Sequence, residues 1–191
     1  KLYWGSGLST SGGAIDWLRG ILSDPALNFD QLDTLLAQAP DRPGRLIFLP
    51  YLAGSGAPHN DPQVRGSFIG LETTHSRVDL YRAVLEGIAF EMEFARRKAS
   101  ALTGVSVERM AVAGGGTRNR RWLQIKADVS GCLVVVLPEV QATALGAALL
   151  AGLGSGIYAD WELLTNQVQR PAEEVYQPDF ERHAIYMERY L

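Results

Sequence analysis

Three consecutive glycines at 114–116 separate a short apolar run from a polar segment in which apolar residues recur at helical spacing. A hairpin would return at once to an alternating pattern, and this segment does not. We therefore predict a strand over 110–113, then a glycine turn, then a helix capped by Thr117. The buried face of that helix would consist of Trp122, Ile125 and Val129.

The glycine turn fits two roles, and the sequence leaves both open. At the start of a helix the first N–H groups lack partners and the helix dipole favours negative charge, so a phosphate can bind there. Glycine has no Cβ, which lets a phosphate or a flat base approach the backbone but equally lets a helix pack closely against a strand. A P-loop is excluded because the pattern G-x-x-x-x-G-K-[ST] is absent. The glycines within 152–156 follow a predicted helix, so we interpret them as a helix C-cap and loop, not as a dinucleotide fingerprint.

Strands and helices alternate along the rest of the chain. Strands are predicted at 2–6, in the apolar run of 45–54 where Pro50 ends the strand, and at 133–137. Helices are predicted at 14–22, 29–39, 79–98, 142–154, 161–166 and 180–190. Residues 54–76, rich in Gly, Pro and Asn, are predicted to form a long loop. This order of elements indicates an α/β layer fold.

Two of these helices carry patterns that predict how they are buried. The longest helix has an apolar stripe formed by Leu80, Val84, Ile88 and Met92. On its solvent side we expect the ion pairs Arg82–Glu86 and Glu93–Arg97, with Glu86 alternatively serving as a buried hydrogen-bond partner of the preceding loop. The helix at 142–154 is apolar nearly all round, so we expect it to be buried.

Composition and charge exclude several classes of protein. The net charge of −3 leaves no basic footprint, so we expect no nucleic-acid partner. No apolar run approaches the length of a membrane span, so we expect no membrane association. Cys132 is the only cysteine, which rules out an intrachain disulfide and favours a reducing, cytoplasmic compartment. The spacing of His59, His75 and His183 matches no metal site, and no metal ligand is predicted.

Several longer motifs follow one another in order along the chain. They are "SGGAIDWL" (11–18), "FLPYLAGSGAPHNDPQVRG" (48–66), "GSFIGLETTHSRVDLYRAVLE" (66–86), and "GGGTRNRRWLQIKADVSG" (114–131) followed by "ATALGAALLAG" (142–152). Together they resemble the C-terminal part of the FGGY family of carbohydrate kinases. The order of the motifs is more specific than any one of them alone.

The resemblance implies the ribonuclease-H-like, actin-like ATPase fold, with a mixed sheet flanked by helices. Residues 1–191 would be the C-terminal, nucleotide-side domain without its first strands, and the N-terminal sugar-binding domain would be absent. The implied reaction transfers the γ-phosphate of ATP to a sugar or polyol hydroxyl, with Mg²⁺ held on the nucleotide phosphates. A pentulose such as xylulose is the preferred acceptor, because "APHNDP" is similar to xylulokinase-like relatives.

The resemblance also implies which residues bind ATP or ADP. They are Gly12 and Asp16 in the opening helix, and Gly114, Gly115, Gly116 and Asn119 in the glycine segment. Gly146 would permit close approach of another backbone or of the adenine. No catalytic residue is predicted in this chain, because the family's general base and phosphate loop precede the matching segment, and we expect the chain alone to be inactive.

Other interpretations remain open from the sequence. The chain could be a non-catalytic actin-like nucleotide-binding or regulatory module, or an interaction domain whose glycines only pack. The sugar or polyol would be held mainly by the absent N-terminal domain. The sequence leaves the oligomeric state open, a homodimer included.

Overall fold

The computed structural model describes residues 7–8, 10–138, 141–168 and 174–190, so the strand predicted at 2–6 lies outside the described residues. The helices are α1 (Ser11–Leu22), α2 (Phe29–Gln38), α3 (Arg77–Thr103), α4 (Arg120–Ser130), α5 (Ala142–Gly154), α6 (Trp161–Val168) and α7 (Phe180–Tyr190). The strands are β1 (Ile47–Leu49), β2 (Ser67–Ile69), β3 (Arg109–Val112), β4 (Leu133–Val136) and β5 (Glu174–Tyr176). The alternation predicted from the sequence is confirmed, and β5 is a strand that the sequence pattern missed.

The larger sheet is mixed, with strand order β3-β4-β5. β3 and β4 are parallel, with Met110 opposite Val134, and α4 forms the crossover that a parallel pair requires. β5 adds to the other edge of β4 in antiparallel orientation. One face of this sheet packs against α4 through Leu123 and Ala127. The glycine turn therefore lies at the carboxyl end of β3, between the sheet and α4.

The structure also contains a second, separate sheet of two strands. β1 pairs with β2 in antiparallel orientation, with Phe48 opposite Phe68. The prediction of an uninterrupted loop over 54–76 is therefore wrong at 67–69. A strand of three residues is too short to show an alternating pattern, which explains why the sequence did not reveal it.

The long helix α3 forms the centre of the core. Val84 and Ile88 are buried as predicted, while Leu80 and Met92 are only half-buried. The predicted apolar stripe includes too few of the buried residues, because every residue from 81 to 89 is buried. The elements α1, α2, α4 and β1 all contact α3. A Cβ at Gly87 would collide with the carbonyl oxygen of Phe48, so this glycine allows α3 to lie directly on β1.

Both ion pairs predicted on α3 form, but their carboxylates are buried, and of the four side chains only Arg97 is exposed to solvent. Glu93 is fully buried and accepts hydrogen bonds from Arg96 Nε at 2.7 Å and Arg97 Nε at 2.6 Å. Glu86 lies 3.8 Å from Arg82 Nε and accepts hydrogen bonds from the Gly44 N–H and the Tyr186 hydroxyl. Burial raises the pKa of Glu86, and the hydrogen bond from Gly44 and the charge of Arg82 oppose that rise. Its partners are thus the segment before β1 and helix α7, not the loop that the sequence suggested.

The helix α5 is largely exposed, although the sequence predicted it to be buried. Among its described residues only Gly152 is buried, and Leu150 is 58% exposed. Apolar composition predicts burial only where neighbouring elements cover every face, and within the described chain α6 is the main neighbour of α5. A Cβ at Gly146 would meet no described atom within 4 Å, so the expected close backbone approach is not seen there.

The remaining helices agree with the sequence. Trp122, Ile125 and Val129 are buried and form the predicted inner face of α4. α7 packs against α4 and contributes Tyr186 to the same core as α3. None of the described helices is long and apolar enough to cross a membrane.

Candidate functional site

An open cleft of about 680 Å³ lies between α1, α2, the first turns of α3 and the glycine turn. Five of the six predicted binding residues line it, namely Gly12, Asp16, Gly115, Gly116 and Asn119. The sixth, Gly114, lies between the lining residues Ala113 and Gly115 but does not line the cleft itself. Residues that are far apart in the sequence therefore meet at one site.

The three glycines of the turn have three different roles. Gly114 has φ +94°, a conformation that favours glycine, and its carbonyl accepts hydrogen bonds from the Thr117 N–H and hydroxyl. A Cβ at Gly115 would meet nothing within 4 Å, so this residue faces open space in the cleft. A Cβ at Gly116 would lie 2.8 Å from Cζ3 of Trp122, so this residue permits close packing. The space beside the backbone is thus open at Gly115 and filled by the Trp122 ring at Gly116.

Asn119 caps α4 and anchors three elements at the edge of the cleft. Its Oδ1 accepts a hydrogen bond from the Trp122 N–H at 2.8 Å, which is the N-cap interaction. Its Nδ2 donates to Asp33 Oδ1 at 2.7 Å and to the Tyr81 hydroxyl at 3.2 Å. The prediction that Thr117 caps this helix is wrong, because residues 115–118 form a 3₁₀ turn and α4 begins only after Asn119.

The first turn of α1 forms the opposite wall of the cleft. Thr10 precedes this helix and donates its hydroxyl hydrogen to the Pro50 carbonyl, so it supplies no side-chain cap to the first N–H groups. Gly12 offers open backbone, because a Cβ there would meet no atom within 4 Å. Asp16 is exposed and forms an ion pair with Arg19 at 3.2 Å. This wall therefore combines free backbone donors with one accessible carboxylate.

Further polar residues of the cleft were not predicted to bind a ligand, among them Asp30, Asp33, Tyr81 and Lys126. Burial and the neighbouring Asp30 carboxylate raise the pKa of Asp33. Lys126 Nζ lies 3.7 Å above the centroid of the Trp122 ring, and burial lowers the pKa of the lysine to about 8. Tyr81 and Lys126 lie within two of the motifs, whereas Asp30 and Asp33 lie outside them, and only the fold brings these three helices together.

The described residues contain no group of three or more His, Cys, Asp or Glu side chains that could hold a metal ion. The histidines serve other contacts: His59 stacks on Phe94, and His75 Nδ1 accepts a hydrogen bond from the Glu72 N–H.

Comparison with known sequences identifies relatives along nearly the whole chain. The xylulose kinase of Staphylococcus epidermidis is 32% identical over 189 residues, which cover 98% of this chain and 38% of that protein. The glycerol kinase of Gloeobacter violaceus is 37% identical over 186 residues, covering 96% of this chain and 36% of that protein. The chain thus spans little more than a third of the length of these curated relatives.

Solved structures share the fold. The ligand-bound xylulose kinase of Lactobacillus acidophilus superposes with a TM-score of 0.79 at 29% identity, covering 97% of this chain and 37% of that chain. The glycerol kinase of Plasmodium falciparum with ADP has a TM-score of 0.75 at 24% identity, covering 96% of this chain and 36% of that chain. The expected actin-like ATPase fold, a mixed sheet flanked by helices, is confirmed.

Most of the chain, including the segment that contains the motifs, also matches a known protein family. Residues 2–155 match the FGGY family of carbohydrate kinases, C-terminal domain. The match includes α1, the glycine turn and α5, so it contains every residue predicted to bind the nucleotide. The chain belongs to the FGGY family of carbohydrate kinases.

Proposed function

We propose that this chain is the nucleotide-binding part of a kinase that transfers the γ-phosphate of ATP to a sugar or polyol hydroxyl. The observation that supports this most strongly is the cleft in which Gly12, Asp16, Gly115 and Asn119 meet, with open backbone at both glycines. A flat base or a phosphate can approach a backbone only where no Cβ intervenes. The residues of the cleft thus match what a nucleotide requires.

Each wall of the cleft has a role in this proposal. No described side chain caps the N–H groups at the start of α1, and these groups face the nucleotide together with the backbone of Gly115 and Gly116. The Asp16 carboxylate accepts hydrogen bonds from ribose hydroxyls, because an ionised carboxylate only accepts. Mg²⁺ binds through the nucleotide phosphates. Lys126 adds a positive charge that favours an anionic ligand.

The acceptor is a sugar or polyol, and we favour a pentulose such as xylulose. This preference rests on the xylulose kinases among the relatives, and glycerol kinases match at similar identity. We assign the general base and the γ-phosphate contacts to a second domain that closes over this cleft. A general base must reach the proton of the attacking hydroxyl, and no carboxylate of the cleft is assigned that role.

Substitution of Gly115 tests the proposal. In Gly115→Val the branched side chain would project into the open cleft, so we expect the affinity for ADP to fall roughly tenfold or more. The fold should be retained, because a Cβ at this position meets no atom within 4 Å. The measurement is isothermal titration calorimetry with ADP on the purified chain.

The matched control is Gly20→Val in α1, where a Cβ also meets nothing but the residue lies outside the cleft. We expect this variant to bind ADP as the wild type does. Equal ADP affinity in a folded Gly115→Val variant would assign the glycine turn to packing alone and contradict the proposal.

A further inference from the structure

Tyr81 and Asp33 present an unused donor and an unused acceptor to the cleft. The Tyr81 side chain is 1% exposed, and its hydroxyl accepts a hydrogen bond from Asn119 Nδ2 at 3.2 Å. Within the described part of the chain, no acceptor lies in hydrogen-bond range of the hydroxyl hydrogen of Tyr81. A buried hydroxyl normally finds an acceptor, so this one has a donor available for a ligand.

Asp33 lies beside that hydroxyl, because both groups contact the same nitrogen of Asn119. Asp33 Oδ1 accepts from Asn119 Nδ2 at 2.7 Å, and among the described residues no donor contacts Oδ2. The residue lies on α2, is exposed, and lines the cleft together with Tyr81. Asn119 thus holds one free acceptor and one free donor side by side at the wall of the cleft.

This pair complements adenine better than guanine at the base edge that carries N7. Adenine carries an amino group at N6 next to ring nitrogens that accept hydrogen bonds, whereas guanine carries the acceptor O6 at the corresponding position. An ionised carboxylate cannot donate to O6 and would repel it. At the base edge that carries N7, guanine presents two acceptors, O6 and N7, so a site that offers an acceptor next to a donor favours adenine at this edge.

We propose that Asp33 and Tyr81 are the base-selecting residues of the nucleotide site, with Asp33 Oδ2 accepting from the adenine N6 amino group and the Tyr81 hydroxyl donating to the neighbouring N7 of adenine. The inference rests on the proposed nucleotide binding in this cleft. It assigns specificity to α2 and α3, neither of which was predicted to bind the ligand from the sequence. Asn119 is then the positioning residue that aligns the pair.

A purely structural role of Asp33 predicts a different result. If Asp33 served only to hold Asn119, its loss would lower the affinity for all nucleotides equally. Asp33→Asn separates the two roles, because the amide oxygen can still accept from Asn119 while the amide nitrogen replaces the free acceptor Oδ2. Asp30→Asn is the matched control, since Asp30 lies on the same helix and lines the same cleft but makes no described hydrogen bond with Asn119.

The experiment is calorimetry with ADP and GDP on the wild type, Asp33→Asn, Asp30→Asn and Tyr81→Phe, with circular dichroism to confirm folding. We expect the wild type to prefer ADP by roughly tenfold or more, as for a site that hydrogen-bonds its ligand specifically. Asp33→Asn should lose that preference, and Asp30→Asn should keep it. Tyr81→Phe should bind ADP with severalfold lower affinity.

Two results would overturn the inference, and they are distinguishable. A wild type that binds both nucleotides, with an ADP preference unchanged in folded Asp33→Asn and Tyr81→Phe, would refute base selection and leave the proposed function intact. A wild type that binds neither nucleotide would refute the proposed function and the inference together.

Discussion

Lys126 places an ammonium group in the cleft with no carboxylate within ion-pair distance among the described residues. Burial disfavours the charged form and lowers the pKa of this lysine to about 8, although the face of the Trp122 ring is close enough for a cation–π contact. An unpaired charge that disfavours folding is commonly found at functional sites. We therefore expect Lys126 to lower the stability of the fold and to raise the affinity for an anionic ligand.

Lys126→Met tests this expectation at the residue scale. At pH 7 we expect the variant to be more stable than the wild type by roughly 1 to 3 kcal/mol, because a desolvated charge is removed and the apolar stem is kept. Affinity for ADP should fall severalfold while affinity for adenosine is unchanged. Urea denaturation and calorimetry provide the two measurements. A variant that is less stable and binds ADP normally would assign Lys126 to structure.

The pH dependence of the same variant has a definite sign. Between the folded pKa of about 8 and the unfolded value of 10.5, the unfolded chain binds more protons at Lys126 than the folded chain does. Wild-type stability therefore rises with pH across this window relative to Lys126→Met. The stability difference between the two proteins should shrink from pH 8 to pH 10.5, and a constant difference would show that the lysine does not titrate in this way.

The sequence located some residues of the cleft and not others, for a physical reason. Gly12, Gly115 and Asn119 belong to contiguous motifs, so a short stretch of sequence contains their context. Asp33 is 86 positions away from its partner Asn119, and Tyr81 is 38 positions away. Contacts at such separations depend on how α2 and α3 pack, and no local pattern encodes them.

At the scale of elements, the packing of α3 on β1 depends on one glycine. We expect Gly87→Ala to destabilise the fold by about 2 kcal/mol or more, because the new Cβ would collide with the Phe48 carbonyl. Gly20→Ala in the exposed part of α1 should instead stabilise the fold by up to about 1 kcal/mol, since alanine is the better helix former. Urea denaturation of both variants measures the contrast. Equal stability changes would mean that α3 can move away from β1 without cost.

Hydrophobic periodicity predicted which elements form but not what covers them. α4 and α7 were predicted correctly because each has one apolar face and a described neighbour to cover it. α5 has apolar residues all round, and the pattern cannot report whether neighbouring elements are present. The same limit applies to α3, in which Arg82, Glu86 and Glu93 are buried because four elements surround the helix and Arg partners neutralise Glu93.

At the scale of the whole molecule, the chain corresponds to little more than a third of its relatives. We expect the 191-residue chain to bind ADP but to show no phosphoryl transfer, because we assign the general base to a second domain. The assay is ADP formation with a panel of pentuloses, hexuloses and polyols. Sugar-dependent turnover by the chain itself would place the catalytic base among its own residues.

The central claim is that the cleft between α1, α2 and the glycine turn binds the nucleotide. A crystal structure of the chain grown with saturating ADP and Mg²⁺ tests it most directly. We predict ADP in this cleft, in contact with the backbone of Gly12 and Gly115, with its base next to Asp33 and Tyr81. ADP bound elsewhere on the chain, for example in the surface depression formed by Tyr51, Ser55 and His59, would contradict the account. So would an empty cleft at a concentration of ADP that saturates binding in solution.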